Sequence, residues 1–130
     1  MTAAALALAG LAAVGHVGIF WLESIAWMRP ATRRLFGIAS EDDARVTRAL
    51  AFNQGFYNLF LAVVTAVGIA FTAVGSASTG VPLIYAGCGS MVAAAVVLVA
   101  TSRRYARAAL AQGLVPAAAV ALLVGASLAG

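Results

Sequence analysis

Residues 81–101 read VPLIYAGCGSMVAAAVVLVAT, twenty-one consecutive positions without a charged side chain. A helix rises about 1.5 Å per residue, so a run of this length covers the roughly 30 Å of hydrocarbon in a bilayer. Working outward, residues 3–27, 49–73 and 108–129 have the same character. Over 130 residues the chain is 64% hydrophobic and 9% charged, with a mean hydropathy of +1.03. A soluble domain carries about a quarter charged residues. These runs are too long for a water-soluble core and too close together to leave room for a soluble domain. The expected fold class is therefore all-α: a polytopic membrane protein, a four-transmembrane-helix bundle forming a single domain over 1–130. Its helices are expected at about 3–29, 41–73, 81–102 and 106–129, with the lipid bilayer as the first partner.

The opening MTAAALALAGLAAVGH (1–16) lacks the positive n-region of a signal peptide, and its apolar stretch runs on to Trp27. It is read as a retained first helix. The single cysteine, Cys88, lies within the third span between two glycines and is read as a small packing residue.

Charge is distributed in a way that orients the chain. Arg29, Arg33, Arg34, Glu41, Asp42, Asp43, Arg45 and Arg48 cluster around the first connection, and Arg103, Arg104 and Arg107 around the third. The middle connection, GSASTG (75–80), has no charge. Arginine-rich connections stay in the cytoplasm, which predicts both termini outside and a multi-pass protein of the inner or plasma membrane. The net charge of +4 and pI near 10.2 thus reflect lipid-flanking arginines. No basic face with an aromatic platform accompanies them, so no nucleic-acid partner is expected.

Local signals set the helix ends. Pro30 is read as the stop for helix 1, with Trp27 at the interface. Ser40 with Asp43 three residues on reads as an N-cap, and Pro82 suits a first helical turn. Ala117, Ala121 and Gly125 form a small-residue stripe that predicts a close helix contact.

Against this background the strongly polar side chains at membrane depth stand out: His16, Glu23, Asn53, Gln54, Tyr57, Asn58 and Gln112. Such residues are costly in hydrocarbon and usually face a bundle interior or water. His16 and Glu23, seven apart, fall about 20° apart around a helix, with Phe20 and Trp27 on the same stripe. Asn53 with Tyr57 and Gln54 with Asn58 are i, i+4 pairs within an arc of about 140°. Gly55 between them permits close approach by a neighbour. Counting rise per residue puts His16 and Asn58 near the midplane. Glu23, Gln54 and Gln112 fall on a level about 9 Å toward the cytoplasm. Pro116 leaves the Gln112 carbonyl without its helical donor. Taken singly, each polar residue also reads as interhelical glue; together they predict a pocket among helices 1, 2 and 4.

The chain resembles a family of small bacterial and fungal four-helix membrane proteins of unknown function. The resemblance rests on His16, Phe20, Glu23, Trp27 and Pro30, then Asn53-Gln54-Gly55-Phe56-Tyr57-Asn58, then Gln112 and Pro116. It departs after Asn58, where the chain has Leu59-Phe60-Leu61 in place of Gly-Phe-Leu. The resemblance implies the four-helix fold and groups these residues as one set, but it carries no activity.

Three functions fit that set. The first is an intramembrane enzyme using acid–base chemistry on a small lipophilic substrate, of the isomerase, cyclase or epoxide-opening type. Its catalytic residues would be Glu23 as acid, His16 as base or partner, and Tyr57 and Asn58 as orienters. Phe20, Trp27, Asn53, Gln54 and Gln112 would bind substrate. The alternative is a proton-coupled small-molecule exporter resembling the small multidrug resistance transporters, with Glu23 exchanging protons. The third is a haem- or ligand-binding membrane subunit with His16 as an axial ligand. The expected cofactor is none, with haem on His16 the weaker reading. No metal is expected, because His16 and Glu23 are seven apart and Cys88 lies elsewhere. A homodimer or homotrimer is expected from small-residue faces left over on a thin bundle.

Overall fold

The computed structural model describes residues 3–129. Helix accounts for 91% of them and no strand occurs among the described residues, so the chain is all-α. The elements are α1 (Ala3–Phe20), a π-helical turn (Trp21–Ile25), α2 (Pro30–Phe36), α3 (Glu41–Ala73), α4 (Ala77–Thr101), a 3₁₀ turn (Arg103–Tyr105) and α5 (Ala106–Ala129). Four helical stretches are long and apolar enough to cross a membrane: Ala3–Ile25, Glu41–Ala73, Ala77–Thr101 and Arg103–Ala129. The chain is a multi-pass membrane protein on that ground.

Two compact units divide the described chain: residues up to Gly15 with those from Leu61 on, and His16–Phe60. The first unit has small side chains inside and large apolar ones outside. Ala5, Ala9, Ala12 and Ala119 are buried with Ile84, Met91 and Leu123, whereas Val14, Val67, Val97 and Leu114 are exposed. Lipid is as apolar as leucine, so large side chains lose nothing by facing it and small ones let helix backbones approach.

That approach is closest between α3 and α4. A Cβ on Gly80 would lie 2.6 Å from the Thr72 amide nitrogen, and one on Gly68 would lie 2.8 Å from the Gly80 carbonyl oxygen. Gly87 faces Thr65 in the same way one heptad further along. Thr65 and Thr72 donate their hydroxyls to the Leu61 and Gly68 carbonyls at 2.9 Å, and Thr65 is also hydrogen-bonded with the Cys88 thiol of α4. A spacing of seven keeps Thr65 and Thr72, and Gly80 and Gly87, on facing seams. The two helices are joined by a Gly75 turn at φ 90°, with the Ser76 amide donating to the Phe71 carbonyl at 2.9 Å and the Gly75 amide to Thr72 at 3.1 Å. This is the glycine C-cap that turns a helix back on itself.

Two boundary expectations and one packing expectation change. Helix 1 does not run to Pro30: its helical path ends with the π turn at Ile25, and Pro30 opens the short helix α2. Proline lacks an N–H that the first helical position has no use for, so it starts a helix as readily as it stops one. Helix α4 begins at Ala77, which places Pro82 in its second turn. Of the stripe Ala117, Ala121 and Gly125, the last two are exposed and nothing lies within 4 Å of a Cβ on Gly125. The buried face of α5 is instead Ala109, Gly113, Pro116, Ala119 and Leu123.

Glycine-to-alanine changes should separate the two situations. Alanine raises helix propensity by about 1 kcal/mol, and overpacking a tight contact costs about 1–3 kcal/mol. Gly125→Ala is expected to be neutral or stabilising in a detergent melting experiment. Gly80→Ala, with backbone on the far side of the contact, is expected to lower the melting temperature. Equal melting of the two variants would contradict the packing described.

Candidate functional site

The polar residues of helix 1 and helix 2 meet inside the His16–Phe60 unit. Their meeting depends on Gly55. A Cβ there would lie 3.0 Å from the Phe20 carbonyl oxygen and 3.0 Å from the Ser24 amide nitrogen, and would overlap Ser24 Oγ. The backbone of α1 and its π turn therefore rests directly on α3. Ser24 Oγ donates to the Phe52 carbonyl at 2.8 Å, and Phe20 meets Phe56 edge-on with ring centroids 5.1 Å apart. Further along, Trp27 is buried with Ala44 and Ala51; its indole N–H donates to the Ala44 carbonyl at 3.0 Å and its ring packs on Phe36.

Glu23 occupies the centre of the π turn, which closes with the Ala26 amide donating to the Trp21 carbonyl at 2.9 Å. Such wide turns are rare in helices and concentrate at functional sites. Across from it, Asn58 Nδ2 donates to Glu23 Oε2 at 2.9 Å and to the Gln54 carbonyl at 3.0 Å. Both amide hydrogens are thereby used, and the amide is anchored to its own helix while it holds the carboxyl. Asn58 Oδ1 remains an acceptor beside a half-buried acid.

The pairing differs from the level count, which matched Glu23 with Gln54 and Asn58 with His16. Helical side chains lean toward the N-terminus of their own helix. The α1 and α3 contacts run antiparallel, Phe20 with Phe56 and Ser24 with Phe52, so Glu23 and Asn58 lean toward each other and close the gap. Gln54 contributes its backbone carbonyl to the pair, and its side chain is exposed.

The remaining residues are placed as follows. His16 is buried at 3% exposure, and Phe20 is half-buried against Phe56. Tyr57 is 64% exposed, on the side of α3 away from the buried Gly55, and Asn53 is exposed. Gln112 belongs to the other unit, half-buried in α5 four residues before Pro116. No group of three or more His, Cys, Asp or Glu suited to a metal ion occurs among the described residues.

Sequence reasoning missed two participants. Ser24, which fastens the π turn to α3, is a small polar residue inside an apolar run beside Glu23, and that adjacency was the available signal. The π turn has no residue signature; it lies where Ser24 and Phe20 seat on Gly55. Phe56, which interrupts the polar run, is the hub of a ring ladder with Phe52 at 4.9 Å and Phe60 at 6.2 Å.

The model of a family described as a protein of unknown function, DUF1304, matches residues 10–124. The chain belongs to the DUF1304 family. The match covers α1 from Gly10 and nearly all of α5, so the Glu23–Asn58 pair and Gln112 all lie within it. No curated protein and no solved structure matches the chain.

A double-mutant cycle on Glu23→Ala and Asn58→Ala should report the pair. Interhelical hydrogen bonds in membranes average about 0.6 kcal/mol, and bonds to carboxylates give more. The coupling measured by reversible unfolding in detergent is expected at about 0.5–2 kcal/mol. Strict additivity would mean that the two side chains do not interact.

Proposed function

We propose that the chain is an intramembrane enzyme that uses acid–base chemistry on a small lipophilic substrate, of the isomerase, cyclase or epoxide-opening type. The observation that carries this reading is the clamped carboxyl. Asn58 spends both amide hydrogens on Glu23 and on its own helix, so the acid is held in one position. A fixed acid suits proton transfer to a bound molecule, which requires hydrogen-bond reach in a set geometry. A carrier's carboxyl must instead exchange between two sides of the membrane. Glu23 is assigned as the acid, His16 as base or partner, and Asn58 as the group that orients the acid. Phe20, Trp27 and Gln54, which share the unit of Glu23, are assigned to substrate contacts. Oligomerisation as a homodimer or homotrimer would cover the exposed small-residue stripe of α5.

The test uses proteoliposomes containing the full chain, loaded with a lipophilic extract of the producing cells and followed by mass spectrometry. Wild type is expected to convert at least one component, and Glu23→Gln, checked for unchanged helicity and melting, to convert none. A component that redistributes unaltered with a pH gradient would replace this reading with proton-coupled export. Conversion by Glu23→Gln at the wild-type rate would also overturn it.

The orientation proposed has both termini outside the inner or plasma membrane. Its support is the arginines at 29–48 and 103–107 against an uncharged connection at Val74–Ser76. A reporter enzyme active only outside the cytoplasm is expected to be active when fused after Gly130 and inactive when inserted at Gly37. The reverse pattern would invert the topology.

A further inference from the structure

An open groove of about 440 Å³ on the N-terminal half of α3 is lined by Arg45, Arg48, Ala49, Phe52 and Asn53. It stands apart from Glu23, which does not line it. From these residues we infer that the groove binds a membrane lipid with an anionic phosphate headgroup, its acyl chain lying along the phenylalanines of α3.

Along α3 the last charged side chain is Arg48, and Phe52 follows one turn later, so the groove sits where the helix passes from polar to apolar surroundings. Arg45, Arg48, Ala49, Phe52, Asn53, Phe56 and Phe60 recur at i, i+3 and i+4 and share one face. Two guanidiniums therefore lie directly ahead of the ring ladder, whose centroids are spaced at 4.9 Å and 6.2 Å. Phe52 and Phe60 are about half exposed, at 47% and 56%. Two positive charges ahead of an apolar track of about two turns complement a phospholipid with an anionic head.

The arginines differ in availability. Arg45 Nη2 is paired with Glu41 Oε1 at 2.7 Å, which fixes its side chain beside the groove and leaves its other donors to share. Arg48 forms no ion pair among the described residues. A guanidinium offers a planar fork that matches two phosphate oxygens, so Arg48 is the primary contact. Asn53 adds an amide donor on the same wall, able to reach a phosphate or an ester oxygen. A zwitterionic headgroup would bring its own cation close to both guanidiniums, so an anionic lipid is preferred over phosphatidylcholine. Inorganic phosphate would gain the charges without the track.

Native mass spectrometry of the full chain in dodecyl maltoside tests this with phosphatidylglycerol, phosphatidylcholine of the same chain length, and inorganic phosphate. Phosphatidylglycerol is expected to bind at least about tenfold more tightly than phosphatidylcholine. Arg48→Gln is expected to remove most of that preference, and Phe52→Ala to weaken phosphatidylglycerol binding. Arg34→Gln, the same change of charge on α2 outside the groove, should leave binding as it was. Glu23→Gln should also bind as the wild type does, so failure of the catalytic reading leaves this result standing. Equal affinity for the two lipids, an equal loss in Arg34→Gln and Arg48→Gln, or phosphate alone binding as tightly as phosphatidylglycerol would each overturn the site.

Discussion

The absence of a side chain at Gly55 lets the backbone of α1 lie against the backbone of α3, and the polar chemistry of this end of the protein depends on that contact. With the helices this close, Ser24 can reach the Phe52 carbonyl and Phe20 can meet Phe56 edge-on. The π turn at Trp21–Ile25 widens the helix where the two helices touch. Glu23 sits in the middle of that wide turn, and its carboxyl is carried to the Asn58 amide. A single methyl group at position 55 would disturb every one of these contacts.

The same device recurs in the other unit with a different outcome. Gly68, Gly80 and Gly87 bring α3 and α4 together as closely as Gly55 brings α1 and α3, but the neighbouring threonines bond to their own helices. Across this seam the polar contact is between Thr65 and the buried Cys88 thiol of α4. One close contact is a structural seam, and the other presents a carboxyl and an amide. The distinction lies in the partner residues: a hydroxyl can satisfy itself on the preceding turn, whereas a carboxyl needs a donor from another helix.

Much of the architecture could be read from composition and run length, because a bilayer demands about twenty apolar residues per crossing and little else does. Ser40 as the cap of α3 was equally legible: its hydroxyl accepts from the Asp43 amide at 3.0 Å and donates to the Asp43 carboxylate at 2.7 Å. The polar set was visible as residue types at helical spacing. Its pairing was not, for a definite reason. Counting rise along the axis locates Cα atoms, whereas Asn58 and Glu23 meet through side chains that lean in opposite directions on antiparallel helices. Pro30 was misread because a proline signals a helix boundary without saying which side of it the helix lies on. The stripe at Ala117, Ala121 and Gly125 is not the face of α5 buried within the chain, because alanine is so common here that small-residue spacing alone does not select a face.

The turn at Val74–Ser76 bears on how such a chain enters its membrane. Helices α3 and α4 are joined by three residues around Gly75, with no charge and with their amides already bonded back to α3. A connection of this kind exposes few unsatisfied groups, so it can pass through hydrocarbon at small cost, unlike the arginine-bearing connections on either side. Helices α3 and α4 entering lipid as a pair would meet along Gly68, Gly80 and Gly87. The glycine seam that packs the finished fold would then also be what holds the pair together while it inserts.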